Sequence, residues 1–337
     1  MTKTSTYNFN LPKELIAYKP AYPADSAKLL VYERATQKIT HTTFENILDF
    51  IPKNTSILFN DTKVIKARIF GTKPTGGKVE LLLNRPLENN TYACYIKGKV
   101  HVDTIISFEN GLSCKILQLV NDGSRVVEFK KDNNILDFIS LIDILNDIGH
   151  IPLPPYIERA DEEIDNKDYQ TLWASSYGAV AAPTASLHFT HELLDNLKEQ
   201  FETSYLTLHV GAGTFKPVEC EDILDHPMHS EYFDISNDTQ KIINSNKKIL
   251  AVGTTVTRTV EYNYKTKEQS GEANIFINPI NKPKRVDYLL TNFHFPKSTL
   301  IMLVASFIGV EKTLEIYKEA ISEKYRFYSY GDGMLII

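Results

Sequence analysis

Cysteine is scarce in this chain and never stands in a pairing motif. Cys94, Cys114 and Cys220 are the only three among 337 residues, and none has Cys-x-x-Cys spacing. An odd, scattered set argues against a disulfide framework and a cysteine-ligated zinc site, and fits a reducing cytoplasm. Long apolar runs are also missing. The longest, Leu300 to Val310, is too short to cross a bilayer. The N-terminus, Met-Thr-Lys-Thr-Ser-Thr-Tyr-Asn, has no apolar signal-peptide core, so we expect a cytoplasmic protein with no membrane partner. No internal repeat or low-complexity segment interrupts the chain. Excess charge is lacking too: the net charge of −5 argues against a sequence-blind nucleic-acid binder. The distribution is uneven, however. From Asp61 to Val100 eight basic residues face three acidic ones, so that segment is +5 and the remainder −10.

What is present has two textures. Between Val64 and Phe129 lie six short β-rich runs: Val64–Phe70, Lys78–Leu83, Tyr92–Lys97, Thr104–Phe108, Leu112–Val120 and Arg125–Phe129. Thr-Gly-Gly, Glu-Asn-Asn, Glu-Asn-Gly and Asn-Asp-Gly punctuate them as turns, leaving little room for crossovers, which predicts a small antiparallel barrel. Elsewhere strands alternate with helices. Helical spacing over Ile135–Ile148 (Ile135, Phe138, Ile139, Ile142, Leu145, Ile148) predicts a helix capped by Asn133 or Asn134 and ended by Gly149. Thr190 and Ser298 are expected caps of helices through Leu197 and Ile308, and Glu311–Ser322 reads as a further helix. Tyr205–Val210, Ile249–Val252, Ala273–Ile277 and Tyr288–Leu290 read as buried strands. The expected fold class is α/β, a mixed sheet with flanking helices and an inserted small antiparallel β-barrel. Residues 1–62 and 150–337 would form the discontinuous α/β domain, and 63–149 the barrel with its closing helix.

Polar or glycine residues follow apolar, strand-like runs at several places, which is where α/β proteins build their sites. The most informative run, Gly178-Ala-Val-Ala-Ala-Pro-Thr-Ala-Ser-Leu-His-Phe189, has small side chains that let backbone or ligand approach closely, or else pack tightly. Leu208-His-Val-Gly-Ala-Gly-Thr leads from a strand into a Gly-x-Gly turn, but Pro217 prevents a long helix there, weakening a Rossmann reading. His209 is then either a site group at a strand end or a core histidine satisfied by neighbours. In Val252-Gly-Thr-Thr a strand turns at Gly253, and Thr254 or Thr255 would cap a helix through Arg258 and Glu261. Its exposed N–H groups suit an anion, or simply begin a helix. His226-Pro-Met-His229-Ser-Glu231 has metal-ligand residue types, but Pro227 splits the histidines and no second cluster completes the set. We expect no metal and read these groups as hydrogen-bonding a polar substrate or transferring protons. Ile151-Pro-Leu-Pro-Pro-Tyr156 must be stiff and extended. Trp173, the only tryptophan, supplies either a stacking platform for a base or a core side chain.

Taken in order, these runs resemble the S-adenosylmethionine:tRNA ribosyltransferase-isomerase family nearly end to end. The resemblance rests on Phe59-Asn-Asp-Thr-Lys-Val-Ile-Lys-Ala-Arg, Thr75-Gly-Gly-Lys-Val-Glu, Ile151-Pro-Leu-Pro-Pro-Tyr-Ile, Tyr169-Gln-Thr and Gly178-Ala-Val-Ala-Ala-Pro-Thr. Leu187-His-Phe-Thr, Thr207-Leu-His-Val-Gly-Ala-Gly-Thr-Phe, Val252-Gly-Thr-Thr, Thr291-Asn-Phe-His, Pro296-Lys-Ser-Thr-Leu and Ser329-Tyr-Gly-Asp extend it. Local departures are Ser186 for Gly, Val256-Thr257 for Ser-Val and Gly333 for Ala. The resemblance implies transfer and isomerisation of the ribosyl part of S-adenosylmethionine onto the aminomethyl group of a 7-deazaguanine at the tRNA wobble position. The products would be epoxyqueuosine-tRNA, adenine and methionine. S-adenosylmethionine is then a consumed substrate, and we expect no cofactor and a monomer.

Such a reaction needs a base for the carbon beside the sulfonium, a donor to departing adenine, and exclusion of water. We expect His188, His209, His294 and Asp61 to surround the reacting ribosyl unit. Thr184, Gly211, Gly213, Thr214, Thr254, Thr255, Arg258, Asn292, Tyr330 and Asp332 are expected to bind substrate. Lys63, Lys66, Arg68, Lys97 and Lys99 are expected to approach tRNA phosphates. The rival readings are a metal-dependent hydrolase on His226, His229 and Glu231, an RNA-binding protein without turnover, and a methyltransferase.

Overall fold

A computed structural model describes residues 2–215 and 218–337, the side chain of Phe215 apart. A nine-stranded mixed sheet forms its larger part. The strands Glu202–Leu208, Thr55–Asn60, Lys248–Val252 and Tyr288–Asn292 lie side by side and parallel. Gly333–Ile336, Lys28–Glu33 and Lys38–Thr43 extend one edge, and Glu231–Ile235 and Ser270–Ala273 the other. All six residues of Thr55–Asn60 are buried, as expected of a central parallel strand covered on both faces. Its alternation assigns the layers: Ile57 and Phe59 pack with the helix His191–Gln200, whereas Leu58 packs with Val256 and Val260 of the helix Thr254–Thr266. Beyond the other end of the sheet, Leu289 and Phe293 pack with the helices Thr299–Ile308 and Val310–Ser322.

The second sheet closes on itself. Arg68–Thr72, Lys78–Pro86, Thr91–Lys97, Arg125–Lys131, Ser113–Leu119 and Ile105–Ser107 pair antiparallel around a six-stranded barrel. Closure removes exposed strand edges. Cys94 and Cys114 are free thiols buried in its core.

Most sequence-predicted elements are present, with four instructive differences. The expected helix over 135–148 runs only Phe138–Ile148. Asp137 is its cap, with a carboxylate accepting from Ser140 N. Asn134–Ile135 instead forms a hairpin strand, so Ile135 is exposed, and Ile139 is 75% exposed. Leu141, Ile142 and Leu145 are the residues that close the barrel core. The run Val64–Phe70 is divided: Thr62–Val64 pairs in parallel with Ser176–Ala179, and the barrel begins at Arg68. The expected strand Ala273–Ile277 is displaced to Ser270–Ala273. Gly253 rather than Thr254 or Thr255 occupies the cap of the 254–266 helix, at φ 100° and with no side-chain cap. Pro217 lies outside the described residues; a short 3-10 turn spans Ala212–Phe215. Among the described residues no helix is long and apolar enough to cross a membrane.

Candidate functional site

The carboxyl ends of the four parallel strands converge. At the end of Thr55–Asn60, Asn60 is fully buried, and its amide ties three elements together. Its Nδ2 donates to Leu208 O at 2.9 Å and to Thr255 Oγ1 at 3.4 Å, while its Oδ1 accepts from Leu208 N and Thr62 N. A cavity opens beside these ends. The small-residue run forms one wall, from Ala181 through Ala185, because Val180 N and Ala181 N both donate to Val210 O and hold the loop flat. Thr254 and Thr255 form another wall, bringing the uncapped first turn of their helix to the cavity. The first N–H groups of a helix have no intrahelical acceptor, so this wall offers donors and a positive dipole end. Asn292, His294, Ser329 and the stacked rings of Phe295 and Tyr328, 3.8 Å apart, complete the lining.

A smaller space adjoins it, sharing Thr214, Thr254, Thr255 and Leu300 and adding Gly213, His226, His229 and Arg258. An added Cβ on Gly213 would lie 2.7 Å from the His229 ring, so only glycine lets these elements meet. A third space, a cleft, runs between sheet and barrel. His209, Gly211, Glu231 and Tyr232 line it on one side, and Asn84, Arg85 and Pro86 on the other.

Glu231 stands where the two outer spaces meet. It forms a buried ion pair with Arg258 Nη1, while its Oε1 accepts from Gly211 N at 3.1 Å and Thr214 Oγ1 at 3.3 Å. Arg258 also donates to His229 O and Ile275 O. The carboxylate is thus committed to the Gly211–Thr214 turn, which removes the third ligand from a His226–His229–Glu231 metal reading. Among the described residues no cluster of three or more His, Cys, Asp and Glu is arranged for a metal.

The three expected histidines are not together. His294 lines the first cavity, its Nε2 2.8 Å from Thr291 Oγ1, and burial pushes its pKa down to about 3. His209 lines the cleft instead. Its Nδ1 lies 2.8 Å from Thr62 Oγ1, and burial lowers its pKa while Asp61 opposes the shift. His188 lines none of these spaces. It packs on Phe44 and accepts from Asn292 Nδ2 at 3.2 Å; burial, then the charge of Arg326, push it down to about 3. Its link to the cavity is indirect, since Thr184 Oγ1 donates to Asn292 Oδ1 at 2.9 Å. Asp61 is likewise absent from the cavity linings: its carboxylate accepts from Thr207 Oγ1 at 2.6 Å and Ser175 Oγ at 3.2 Å.

Of the expected binding groups, Thr184, Thr214, Thr254, Thr255 and Asn292 line the first cavity, and Gly211, Gly213 and Arg258 line the adjoining spaces. Tyr330 and Asp332 do not. Tyr330 is buried against Tyr169 with its hydroxyl toward Asp165, and Asp332 is a buried partner of Arg326 that also accepts from Lys28 N. Trp173 proves to be a packing residue, wedged against Phe59, Phe189 and Tyr205, with Nε1 donating to Asn60 O.

The basic residues are dispersed. Lys63 lies over the Tyr177 ring at the cleft. Lys66 donates to Asn146 O, Arg68 and Lys97 share Glu80, and Lys99 is exposed beyond the same barrel strand. The sequence includes Asn60 only within the Phe59-Asn-Asp-Thr run and Glu231 only within the His226–Glu231 run, and neither stood out as a site residue. A polar residue inside an apolar strand was the available signal for Asn60.

Comparison with known proteins matches residues 4–336 to the family model of the queuosine biosynthesis protein. An S-adenosylmethionine:tRNA ribosyltransferase-isomerase of Aliarcobacter butzleri is 64% identical over 99% of this chain and 98% of its own length. One from Nitratiruptor is 58% identical at the same coverage. The crystal structure of S-adenosylmethionine tRNA ribosyltransferase from Thermotoga maritima aligns over 99% of this chain and all of its own, at 31% identity and a TM-score of 0.56. With matches that span the chain from end to end, it belongs to the queuosine biosynthesis protein family.

Proposed function

We propose that this protein transfers and isomerises the ribosyl moiety of S-adenosylmethionine onto 7-aminomethyl-7-deazaguanine in the tRNA anticodon, giving epoxyqueuosine-tRNA, adenine and methionine. The names of its full-length relatives support this reading. The observation that carries it is the pairing of two spaces: a cavity at the strand ends with the first turn of the 254–266 helix on its wall, beside a cleft between sheet and barrel. A small cationic substrate with a carboxylate suits the first, where the uncapped 254–266 helix meets that carboxylate. A macromolecule can reach the second.

In this mechanism the small-residue lining from Ala181 to Ala185 packs close to the substrate and keeps water from open-chain intermediates. His209, the least buried of the three histidines and the one at the cleft, accepts the proton from the carbon beside the sulfonium. His294 and the Thr184–Asn292 pair are neutral hydrogen-bonding groups that orient the nucleoside. His188 fixes Asn292 and acts through it. The ribosyl unit changes partners without net oxidation, so the chemistry calls for no redox cofactor, and S-adenosylmethionine is consumed.

The test is mass spectrometry of precursor tRNA incubated with the protein and S-adenosylmethionine labelled separately in ribose and methyl. Label from ribose should reach the tRNA and methyl label should leave with methionine. Methyl label on the tRNA would instead mark a methyltransferase and overturn the proposal.

A further inference from the structure

The cleft at the barrel carries side chains suited to a nucleobase. Tyr177 and Tyr232 line it, yet keep 42% and 43% of their surface exposed. Tyr232 lies nearly parallel to His209, with centroids 5.7 Å apart. Lys63 Nζ sits 4.5 Å over the Tyr177 ring and 3.1 Å from its hydroxyl. Half-exposed tyrosines are stacking platforms for unpaired bases, and an ammonium beside one suits the adjoining phosphate.

The mouth of the cleft carries a carboxylate as well as cations. Glu272, on the edge strand of the large sheet, accepts from Arg85 Nη1 of the barrel at 2.9 Å and from Ser230 Oγ at 2.7 Å. Both partners of the ion pair are 42% exposed. Solvent-exposed pairs contribute little net stability, so Glu272 can exchange Arg85 for another cation at small cost. The strand-end cavity differs, because the helix start at Thr254 favours an anion and disfavours an ammonium.

We propose that the cleft is the slot for an unpaired purine-like base, and that Glu272 reads a protonated amine carried by that base. This deepens the reaction proposed above and rests on it, since that reaction needs an aminomethyl base taken out of its stack. Tyr177 and Tyr232 would hold the base plane, Lys63 its phosphate, and Glu272 the ammonium in place of Arg85.

The test uses two labelled anticodon stem-loops, one with the aminomethyl-deazaguanine and one with guanine, in fluorescence anisotropy titrations. We expect the protein to prefer the amine-bearing loop, and Glu272→Gln to reduce that preference at least tenfold while guanine-loop binding holds. Tyr232→Ala should weaken both loops about equally, as loss of a stacking platform does. Arg85→Ala separates recognition from mere bridging of the cleft. If Glu272 reads the amine, freeing it keeps or raises the preference; if the pair only holds barrel to sheet, Arg85→Ala and Glu272→Gln fall together and the assignment is overturned. Binding of S-adenosylmethionine by equilibrium dialysis should be unchanged in all three. An enzyme that transfers labelled ribose but keeps its preference in Glu272→Gln defeats the slot alone. Absence of ribose transfer by the unmodified protein defeats the wider reading and the slot with it.

Discussion

Glu231 and Arg258 are joined as a buried ion pair, and the carboxylate's other oxygen holds Gly211 N and Thr214 Oγ1. One carboxylate thereby fixes a glycine turn against the helix that opens into the cavity. Removing either partner leaves the other charge buried without compensation. Arg258→Ala and Glu231→Ala should each cost roughly 3–5 kcal/mol, whereas removing both charges together costs less because no orphan remains. Urea denaturation of the two single variants and of the Glu231→Met/Arg258→Met double variant checks this. Additive losses would show that the pair is not coupled.

His188 and His294 make stability depend on mild acid. Burial holds both down to about 3 in the folded chain, against about 6.5 for an unfolded histidine. Their contribution is therefore complete above about pH 6.5 and falls as the pH drops toward 3, because the unfolded chain takes up protons that the folded one refuses. Between pH 6.5 and 5 each group should cost about 2 kcal/mol. Carboxylates such as Asp165 and Glu202, whose pKa values are lowered, act below this window. Denaturation midpoints at pH 7 and pH 5, for the protein and for His294→Asn, check it: on acidification the variant should lose about 2 kcal/mol less than the protein. Equal losses would mean that His294 does not titrate with unfolding.

Much of this architecture was legible from pattern, and the failures have two causes. The barrel strands could be read because each is short and bounded by turn residues. The 298–308 helix could be read because Ser298 and Gly309 mark both ends, and Ser298 Oγ does accept from Ile301 N at 3.3 Å. Ile135 misled because helical spacing was extended across a chain that was already in a hairpin, and Ile139 because it lies on the exposed face of the helix. His188, Asp61 and Asp332 misled differently. Each follows a strand or lies in a family motif, but sequence spacing does not say whether a side chain points into a cavity or into packing. Gly333, where alanine was expected, has a local reason: an added Cβ would sit 3.2 Å from Leu29 Cδ1 and 3.4 Å from the Phe44 ring.

The basic residues should contribute unequally to RNA affinity. Arg68 and Lys97 are partly neutralised by Glu80, and Arg68 also donates to Leu153 O. Lys63 and Lys99 have no ion-pair partner among the described residues and are better placed to release counterions. Lys63→Ala should lower the slope of log affinity against log salt by about one contact, and Arg68→Ala should mainly lower the melting temperature. Titration of anticodon stem-loop RNA at several salt concentrations checks this. An unchanged slope in Lys63→Ala would move the phosphate contact elsewhere.

Gly178 and His209 offer the sharpest test of where the proton goes. Gly178 has φ 151°, and a Cβ built there would lie 2.7 Å from His209 Cδ2 and Nε2. Its absence lets the imidazole lie between the loop and Tyr232 with Nδ1 toward Thr62 Oγ1. Gly178→Ala must therefore push the ring out of that place, in addition to straining the loop. If His209 is the base, His209→Ala should lower turnover about 10²–10⁴-fold. His294→Ala should act more through KM, and His188→Ala through stability. Gly178→Ala should reproduce most of the His209→Ala loss in turnover while circular dichroism stays native. The double variant decides whether the two act as one unit: coupled residues give losses that do not add. Gly178→Ala should then cost almost nothing further in a His209→Ala background. Full additivity would show that the glycine serves the loop and not the histidine, and near-normal turnover of His209→Ala would mean that another group is the base.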